Sequence, residues 1–105
     1  PEVNEFELAG LTPLASTQVR PPRVAESPVT LECRRTQVLQ LQGVDGVQVP
    51  TWLVLGEVVA VHIDTALLKD GVYDTASAGH ILRAGGPADY FTVGPEQLFK
   101  MHRPR

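Results

Sequence analysis

The sequence has little of several residue types that would narrow its function directly. Cys33 is the only cysteine among the 105 residues, so an intrachain disulfide and a cysteine-based zinc site are both excluded. No apolar run approaches the length of a transmembrane helix, and no charged and apolar segments typical of a secretory signal open the chain. We therefore expect a cytoplasmic protein with no membrane partner.

An excess of positive charge is also lacking. The net charge is −3 at neutral pH, whereas a nucleic acid or an anionic membrane would require clustered lysine and arginine. The basic C-terminal residues Lys100, His102, Arg103 and Arg105 are too few to reverse this balance. We expect neither nucleic acid nor a membrane surface as the main partner.

Motifs for metal binding and for nucleophilic catalysis are missing as well. His62, His80 and His102 are scattered and lack the spacing of a zinc motif. Ser27 precedes a proline, and Cys33 lies in a strand pattern that predicts an inert, buried thiol. No P-loop or G-x-G-x-x-G motif occurs. The residues alone thus predict no metal site and no catalytic set.

Two long strand patterns are present. Residues 29–41 alternate apolar and polar, with Val29, Leu31 and Cys33 on the apolar face, and the alternation breaks near Arg35. This break predicts either a β-bulge or an exit of the strand to solvent. Residues 42–46 carry turn chemistry, so we expect a long antiparallel hairpin.

The second strand pattern, residues 51–64, is apolar on both faces, which predicts burial on both sides in a barrel or a covered sheet. Glu57 and His62 have opposite parity, so they point to opposite faces unless a bulge lies between them. For Glu57 we favour an ion pair with Arg34 or Arg35 over catalysis. For His62, a cleft-lining histidine and a hydrogen-bonded rim histidine are equally supported.

Shorter patterns flank the hairpin. Residues 3–10 predict a short helix capped by Asn4 and ended by Gly10, and residues 11–28 predict a surface crossing. After the hairpin, residues 64–71 predict a capped helical turn ended by glycine, and residues 74–82 predict a second short helix. A last short strand is predicted at residues 88–93.

The segment 83–90 combines an arginine, glycines and a tyrosine. Arg83 could contact the charge of an anionic, planar ligand while Tyr90 contacts its ring. An ordinary loop with a solvated arginine and a packed tyrosine explains the same composition, and composition alone favours it.

Four segments in order resemble the flavin reductase-like family, the FMN-binding split β-barrels. They are EFELAGLT at 5–12, RVAESPVTLEC at 23–33, GEVVAVHID at 56–64 and LRAGGPADY at 82–90. The resemblance implies a mainly β fold, part of a split β-barrel with short helices. It also implies that residues 1–105 form the C-terminal portion of one FMN-binding domain. The chain starts at Pro1 without an initiator methionine, which agrees with the expectation that it is part of a larger domain or needs a second chain.

The resemblance further implies a homodimer that binds FMN, or alternatively FAD, and transfers hydride from NAD(P)H to flavin, often for a partner monooxygenase. The earlier half of such a domain, which brings the first barrel strands and most of the FMN phosphate loop, has no counterpart here. By resemblance, Arg83 and Tyr90 contact the cofactor, His62 lines its cleft and Phe6 shapes its rim. Two alternatives stay open: a flavin carrier or electron-transfer protein without reductase activity, and a structural or dimerisation portion of a split domain.

Overall fold

A computed structural model describes residues 2–105, and it is mainly β with short helices, as predicted. The chain divides after Ile63 into two compact units. Every sheet in the described residues has two strands, and none closes into a barrel. No helix in residues 2–105 is long and apolar enough to cross a membrane.

The first unit contains one short helix and four strands. Its elements are α1 (Glu5–Ala9), β1 (Pro13–Leu14), β2 (Arg23–Val24), β3 (Val29–Gln42) and β4 (Gln48–Ile63). The second unit contains a 3-10 helix (Thr65–Leu67), β5 (Leu68–Lys69), β6 (Val72–Tyr73), β7 (Ile81–Arg83), β8 (Tyr90–Thr92) and a second 3-10 helix (Pro95–Gln97).

The predicted long hairpin is confirmed. Strands β3 and β4 pair antiparallel along their whole length, and the predicted turn lies between them. In that turn Gly46 has a φ of 81°, and the Val47 amide donates to the Asp45 side chain at 3.0 Å. A left-handed φ favours glycine because it has no Cβ, so Gly46 is suited to this position.

Strand pairing shifts register in three places, one of them at the predicted irregularity near Arg35. Another shift has a consequence that the sequence pattern did not show. Glu32 lies opposite Ala60 and Cys33 lies opposite Val58, so Val59 is the extra residue of a bulge in β4. The bulge lies between Glu57 and His62 and changes the parity of β4. The two residues therefore lie opposite positions on one face of β3, because the bulge that the sequence analysis named as the exception to opposite faces is present.

The prediction that residues 51–64 are buried on both sides is also wrong for the described residues. Trp52 and Val54 on one face are 58% and 61% exposed, Leu53 on the other is 45% exposed, and no described apolar residue is fully buried. The physical reason is that a two-stranded sheet has no second layer to cover either face.

The face of β3 that the sequence predicts to be buried is the exposed one near the start of the strand. Leu31 and Cys33 are exposed, whereas Glu32 is only 3% exposed. The crossing segment lies over the face of β3 that carries Glu32, where Thr17 and Gln18 bond to its carboxylate. The prediction of a buried thiol at Cys33 is thus corrected.

The short helix α1 has the predicted ends. The Asn4 side chain accepts a hydrogen bond from the Phe6 amide at 3.1 Å, and Gly10 follows the helix with a left-handed φ of 69°. These bonds satisfy amide and carbonyl groups that a helix terminus otherwise leaves unpaired.

In the second unit, Asp64 caps a 3-10 turn by accepting from the Ala66 amide at 3.0 Å, as the helical-turn prediction required. The predicted helix at residues 74–82 is wrong. Residues 75–78 form turns, and Ile81–Arg83 pairs with Tyr90–Thr92, so strand pairing prevails over the weak helical pattern. The strand predicted at 88–93 is confirmed by β8.

Residues 70 and 71 form the tight turn between β5 and β6. Asp70 has a φ of 52° and Gly71 a φ of 77°, and the flanking residues Lys69 and Val72 pair across the hairpin. Two successive positive φ values are typical of the Asp-Gly turn that matches the twist of a hairpin. Gly71 therefore belongs to a hairpin turn rather than to a helix end.

This geometry predicts the effect of substitutions at Asp70. Asp70→Val should lower the free energy of unfolding by about 1–2 kcal/mol, because a β-branched side chain is strained at positive φ. Asp70→Asn is the matched control and should stay near wild type, since asparagine tolerates this conformation. Denaturant unfolding of the three proteins measures the difference; equal midpoints for the valine and asparagine variants would contradict the assigned turn.

Candidate functional site

The most enclosed polar group of the first unit is the Glu32 carboxylate. It accepts hydrogen bonds from the Thr17 amide at 2.9 and 3.0 Å, from the Gln18 amide at 2.6 Å and from the Thr17 hydroxyl at 3.1 Å. The Nε2 atom of His62 lies 2.5 Å from Oε2 of Glu32. Five donor contacts thus converge on one buried carboxylate.

These bonds fasten the crossing segment to the hairpin. Arg34, two residues along the same face of β3, donates from Nη2 to the Gln18 carbonyl at 3.1 Å. On either side of residues 17 and 18, the crossing segment forms the strands β1 and β2, which pair with each other in a two-residue antiparallel ladder. Glu32 therefore holds the amides of Thr17 and Gln18, and Arg34 holds the carbonyl of Gln18.

The environment of Glu32 acts on its pKa in two directions. Burial raises the pKa, because it disfavours the charged form. The amide bonds from Thr17 and Gln18, together with His62 and the Thr17 hydroxyl, outweigh burial and lower the pKa to about 2. The carboxylate is consequently ionised at neutral pH.

His62 is the partner of Glu32 on the neighbouring strand. Its side chain is 23% exposed, and its Nε2 is taken by the carboxylate. The other ring nitrogen, Nδ1, is the one left for a ligand or water. The structure thus shows a hydrogen-bonded histidine, and its predicted role of lining a cleft stays a prediction.

The ion pair predicted for Glu57 is not formed. Arg34 is its register partner, but Arg34 donates to the Gln18 carbonyl, and no ion pair of the described residues includes Glu57. The reason is that Glu57 is exposed, so its charge stays in water and needs no partner.

In the second unit the structure brings Arg83 and Tyr90 together. They lie opposite one another in the β7–β8 ladder, and the Arg83 guanidinium carbon is 5.2 Å from the centre of the Tyr90 ring. Arg83 also closes its own loop by donating to the carbonyls of Ala84 at 2.5 Å, Gly86 at 2.6 Å and Asp89 at 2.9 Å. Gly86 has a φ of 79°, which suits glycine at this bend.

These bonds leave part of the guanidinium unused. A guanidinium has five N–H donors, and three bonds to loop carbonyls occupy three of them. The loop borders an open depression of about 610 Å³, whose wall does not include Arg83. The residues that line it are Ala84, Gly85, Ala88, Asp89, Tyr90 and Phe91. A cation with donors to spare beside an exposed aromatic ring suits a planar, anionic ligand.

The remaining predicted residue, Phe6, lies half-buried in α1. Phe6 and His62 belong to the first unit, whereas Arg83 and Tyr90 belong to the second. Among the described residues, no group of three or more histidine, cysteine or acidic side chains is arranged to hold a metal ion.

Sequence reasoning missed the central role of Glu32. The signal that could have found it is the cross-strand relation to His62, since Thr30 lies opposite His62 and Glu32 is two residues further on the same face. The contact between the Tyr73 hydroxyl and His80 in the second unit was likewise not predicted.

The low pKa of Glu32 predicts how stability depends on pH. In the unfolded chain Glu32 regains its ordinary pKa near 4.5, so the unfolded state binds more protons between pH 4.5 and about 2. Stability should therefore fall as pH falls through this window. Glu32→Gln should lower the Tm at neutral pH and flatten the pH dependence in the window.

Other carboxyl groups also contribute to the dependence of wild-type stability on pH, so the Glu32 variant needs a matched control. Hydrogen bonds from Thr12 lower the pKa of Glu26, and a hydrogen bond from Lys69 lowers the pKa of Asp74. Glu57→Gln removes an exposed carboxylate from the same sheet and should keep the wild-type slope. Thermal unfolding across acidic pH measures all three proteins, and an unchanged slope in Glu32→Gln would contradict the account.

Comparison with known proteins agrees with these features. The sequence model of the flavin reductase like domain matches residues 1–81. An uncharacterised protein of Halalkalibacterium halodurans is 35% identical over 104 residues, covering 99% of this chain and 48% of that protein. An uncharacterised protein of Aquifex aeolicus is 32% identical over 72 residues, covering 69% of this chain and 33% of that protein.

A solved structure shares the fold. The crystal structure of nitrilotriacetate monooxygenase component B from Bacillus cereus matches with a TM-score of 0.78 and 29% identity, covering 92% of this chain and 46% of that one. The chain thus spans about half the length, or less, of the relatives it matches. On the match over residues 1–81, the chain belongs to the flavin reductase like domain family.

Proposed function

We propose that this chain is the C-terminal portion of an FMN-binding domain that transfers hydride from NAD(P)H to flavin. The observation that carries the proposal is the family match over residues 1–81. The structural neighbour is component B of a nitrilotriacetate monooxygenase, which supports a role in supplying reduced flavin to a partner monooxygenase. A cytoplasmic homodimer belongs to the same proposal.

The residues of this chain fit part of a flavin. Arg83 retains two of its five donors after bonding its own loop, and the exposed Tyr90 ring beside it offers an aromatic surface. We propose that Arg83 contacts the polar edge of the isoalloxazine and that Tyr90 contacts its ring. The family resemblance assigns the phosphate loop to the earlier half of such a domain, so we propose that the phosphate contacts come from there.

Two residues of the first unit are proposed separately. By the family resemblance, we propose that His62 lines a cofactor cleft, through Nδ1 because Glu32 holds its Nε2, and that Phe6 in α1 shapes its rim. Bound FMN, or FAD as the alternative, supplies the hydride-accepting chemistry, and the protein supplies binding, orientation and electrostatics. No protein acid or base is required, which agrees with a site made of ligand-binding residues.

A structural or dimerisation role is the second candidate. The observation that favours it is the exposure of apolar residues on both faces of β4, including Trp52, Leu53 and Val54. Large exposed apolar patches on soluble proteins mark contact with further protein. In this reading the chain contributes surface to a domain whose flavin contacts lie elsewhere.

The proposal is tested by the visible absorbance of the purified protein, followed by NADH and then NADPH under anaerobic conditions. Bound yellow flavin that is bleached rapidly by either nucleotide supports the reductase. Bound flavin that is not reduced identifies a carrier or electron-transfer protein. A protein that stays colourless after addition of FMN and FAD overturns the cofactor assignment and leaves the structural role.

Substitutions at the proposed contacts should weaken FMN binding. Tyr90→Ala should raise the dissociation constant about tenfold, because aromatic contacts of this kind contribute about 1 kcal/mol or more. Arg83→Gln should weaken binding by a similar factor, since it removes a charged donor. Phe99→Ala, which removes an exposed aromatic ring near the C terminus, is the control.

Flavin fluorescence titration measures these affinities, and thermal unfolding shows whether each variant is folded. Equal FMN affinity in the folded Tyr90→Ala, Arg83→Gln and Phe99→Ala proteins would remove both residues from the site.

A further inference from the structure

The second unit contains a cavity of about 320 Å³ on one side of the β7–β8 hairpin. The Val93 amide donates to the His80 carbonyl at 3.3 Å, which continues the ladder by one pair. Successive residues of a strand point to opposite faces, so His80, Leu82 and Val93 share one face, and all three line the cavity. Arg83 and Tyr90 share the other face. The cavity therefore lies on the opposite side of the hairpin from the proposed flavin contacts.

Two further segments complete the wall of the cavity. The turn that precedes the hairpin contributes Thr75 and Ala76. The segment that follows the hairpin contributes Gly94, Gln97 and Leu98, around the second 3-10 helix. The side-chain oxygen of Gln97 accepts from the Gly94 amide at 2.7 Å, which fixes this side chain on the wall and leaves its amide nitrogen unused.

Most of the wall is apolar. Its apolar side chains are Ala76, Leu82, Val93 and Leu98, and Leu82 and Leu98 are 52% and 56% exposed. A ligand that covers these side chains removes apolar surface from water, which favours binding. The volume is at the lower end for small-molecule sites, so the cavity suits a compound with a single ring.

The wall also offers two hydrogen-bond donors. The Tyr73 hydroxyl contacts Nε2 of His80, and a hydroxyl that donates to Nε2 leaves the ring proton on Nδ1. Nδ1 has no hydrogen-bond partner in residues 2–105, and the buried unpaired side-chain atoms of that range all belong to the first unit, so Nδ1 stays open to solvent. The Gln97 amide nitrogen is the second donor. Both can serve an acceptor atom on a ligand.

The charge near the cavity favours an uncharged acceptor. Among the described residues, no aspartate, glutamate, lysine or arginine lines the wall. The nearest charge on record is the Glu96 carboxylate, since a β-carbon at Gly94 would lie 2.8 Å from Glu96 Oε2. An anionic ligand would meet this carboxylate without a cation to offset it, whereas a carbonyl group would not.

We propose that this cavity binds a small, uncharged aromatic compound that carries one carbonyl group. The ring packs against Leu82, Val93 and Leu98, and the carbonyl oxygen accepts from the His80 ring and the Gln97 amide. The site needs no flavin and lies across the β7–β8 hairpin from Arg83 and Tyr90. It therefore stands or fails separately from the reductase proposal.

Benzamide is the probe, and the methyl resonances of Leu82 and Val93 in a proton–carbon correlation spectrum report its binding. Benzamide is titrated into the whole chain without added flavin. Acetamide, which lacks the ring, and sodium benzoate, which carries a negative charge, are the control ligands. We expect saturable shifts with benzamide and binding at least about fivefold weaker with either control, as the loss of about 1 kcal/mol of contact predicts.

Variants test the two donors. Gln97→Glu keeps an oxygen for the Gly94 amide but replaces the donor by a negative charge, and it should weaken benzamide binding about fivefold or more. His80→Phe keeps a ring without a donor and should weaken binding by a similar factor. Gln37→Glu makes the same charge change at an exposed position on β3 and should bind like wild type.

Three results would overturn the proposal: no saturable shift with benzamide, equal affinity for benzamide and either control ligand, or undiminished benzamide binding in Gln97→Glu. His80→Phe also loses the contact with Tyr73, so Gln97→Glu decides the test if His80→Phe does not fold. Chemical-shift dispersion of the free proteins shows which variants are folded.

Discussion

The structure of the first unit depends on the satisfaction of one buried carboxylate. Removing Glu32 from water is costly unless donors replace its hydration, and the amides of Thr17 and Gln18 and the ring of His62 supply them. The same bonds fix the crossing segment on β3 and occupy one nitrogen of His62. They also position the segment that leads into β2.

The long hairpin carries apolar side chains on both faces, yet each sheet of the described residues has only two strands. A two-stranded sheet cannot bury such surface by itself, and exposed apolar area of this kind is typical of protein that contacts more protein. This agrees with the proposal that the chain is one portion of a larger flavin reductase-like domain. The relatives it matches are about twice its length.

Local signals were sufficient to predict the long hairpin, the irregularity near Arg35 and both ends of α1, because alternation and capping are encoded within a few residues. The buried state of Glu32 could not be predicted this way, because its donors Thr17 and Gln18 come from a segment about 15 residues earlier in the chain. The helix predicted at 74–82 failed because pairing of β7 with β8 overrides a weak local preference. In the candidate site, the sequence implied that Arg83 and Tyr90 are close together. It did not imply that Arg83 donates hydrogen bonds to the carbonyls of its own loop.

We propose above all that Arg83 and Tyr90 of the second unit contact a bound flavin. A crystal structure of the protein with FMN tests this most directly. We expect isoalloxazine density in contact with the Tyr90 ring and with the donors that Arg83 does not use for its own loop. Flavin bound at a place that none of these residues reaches would contradict it.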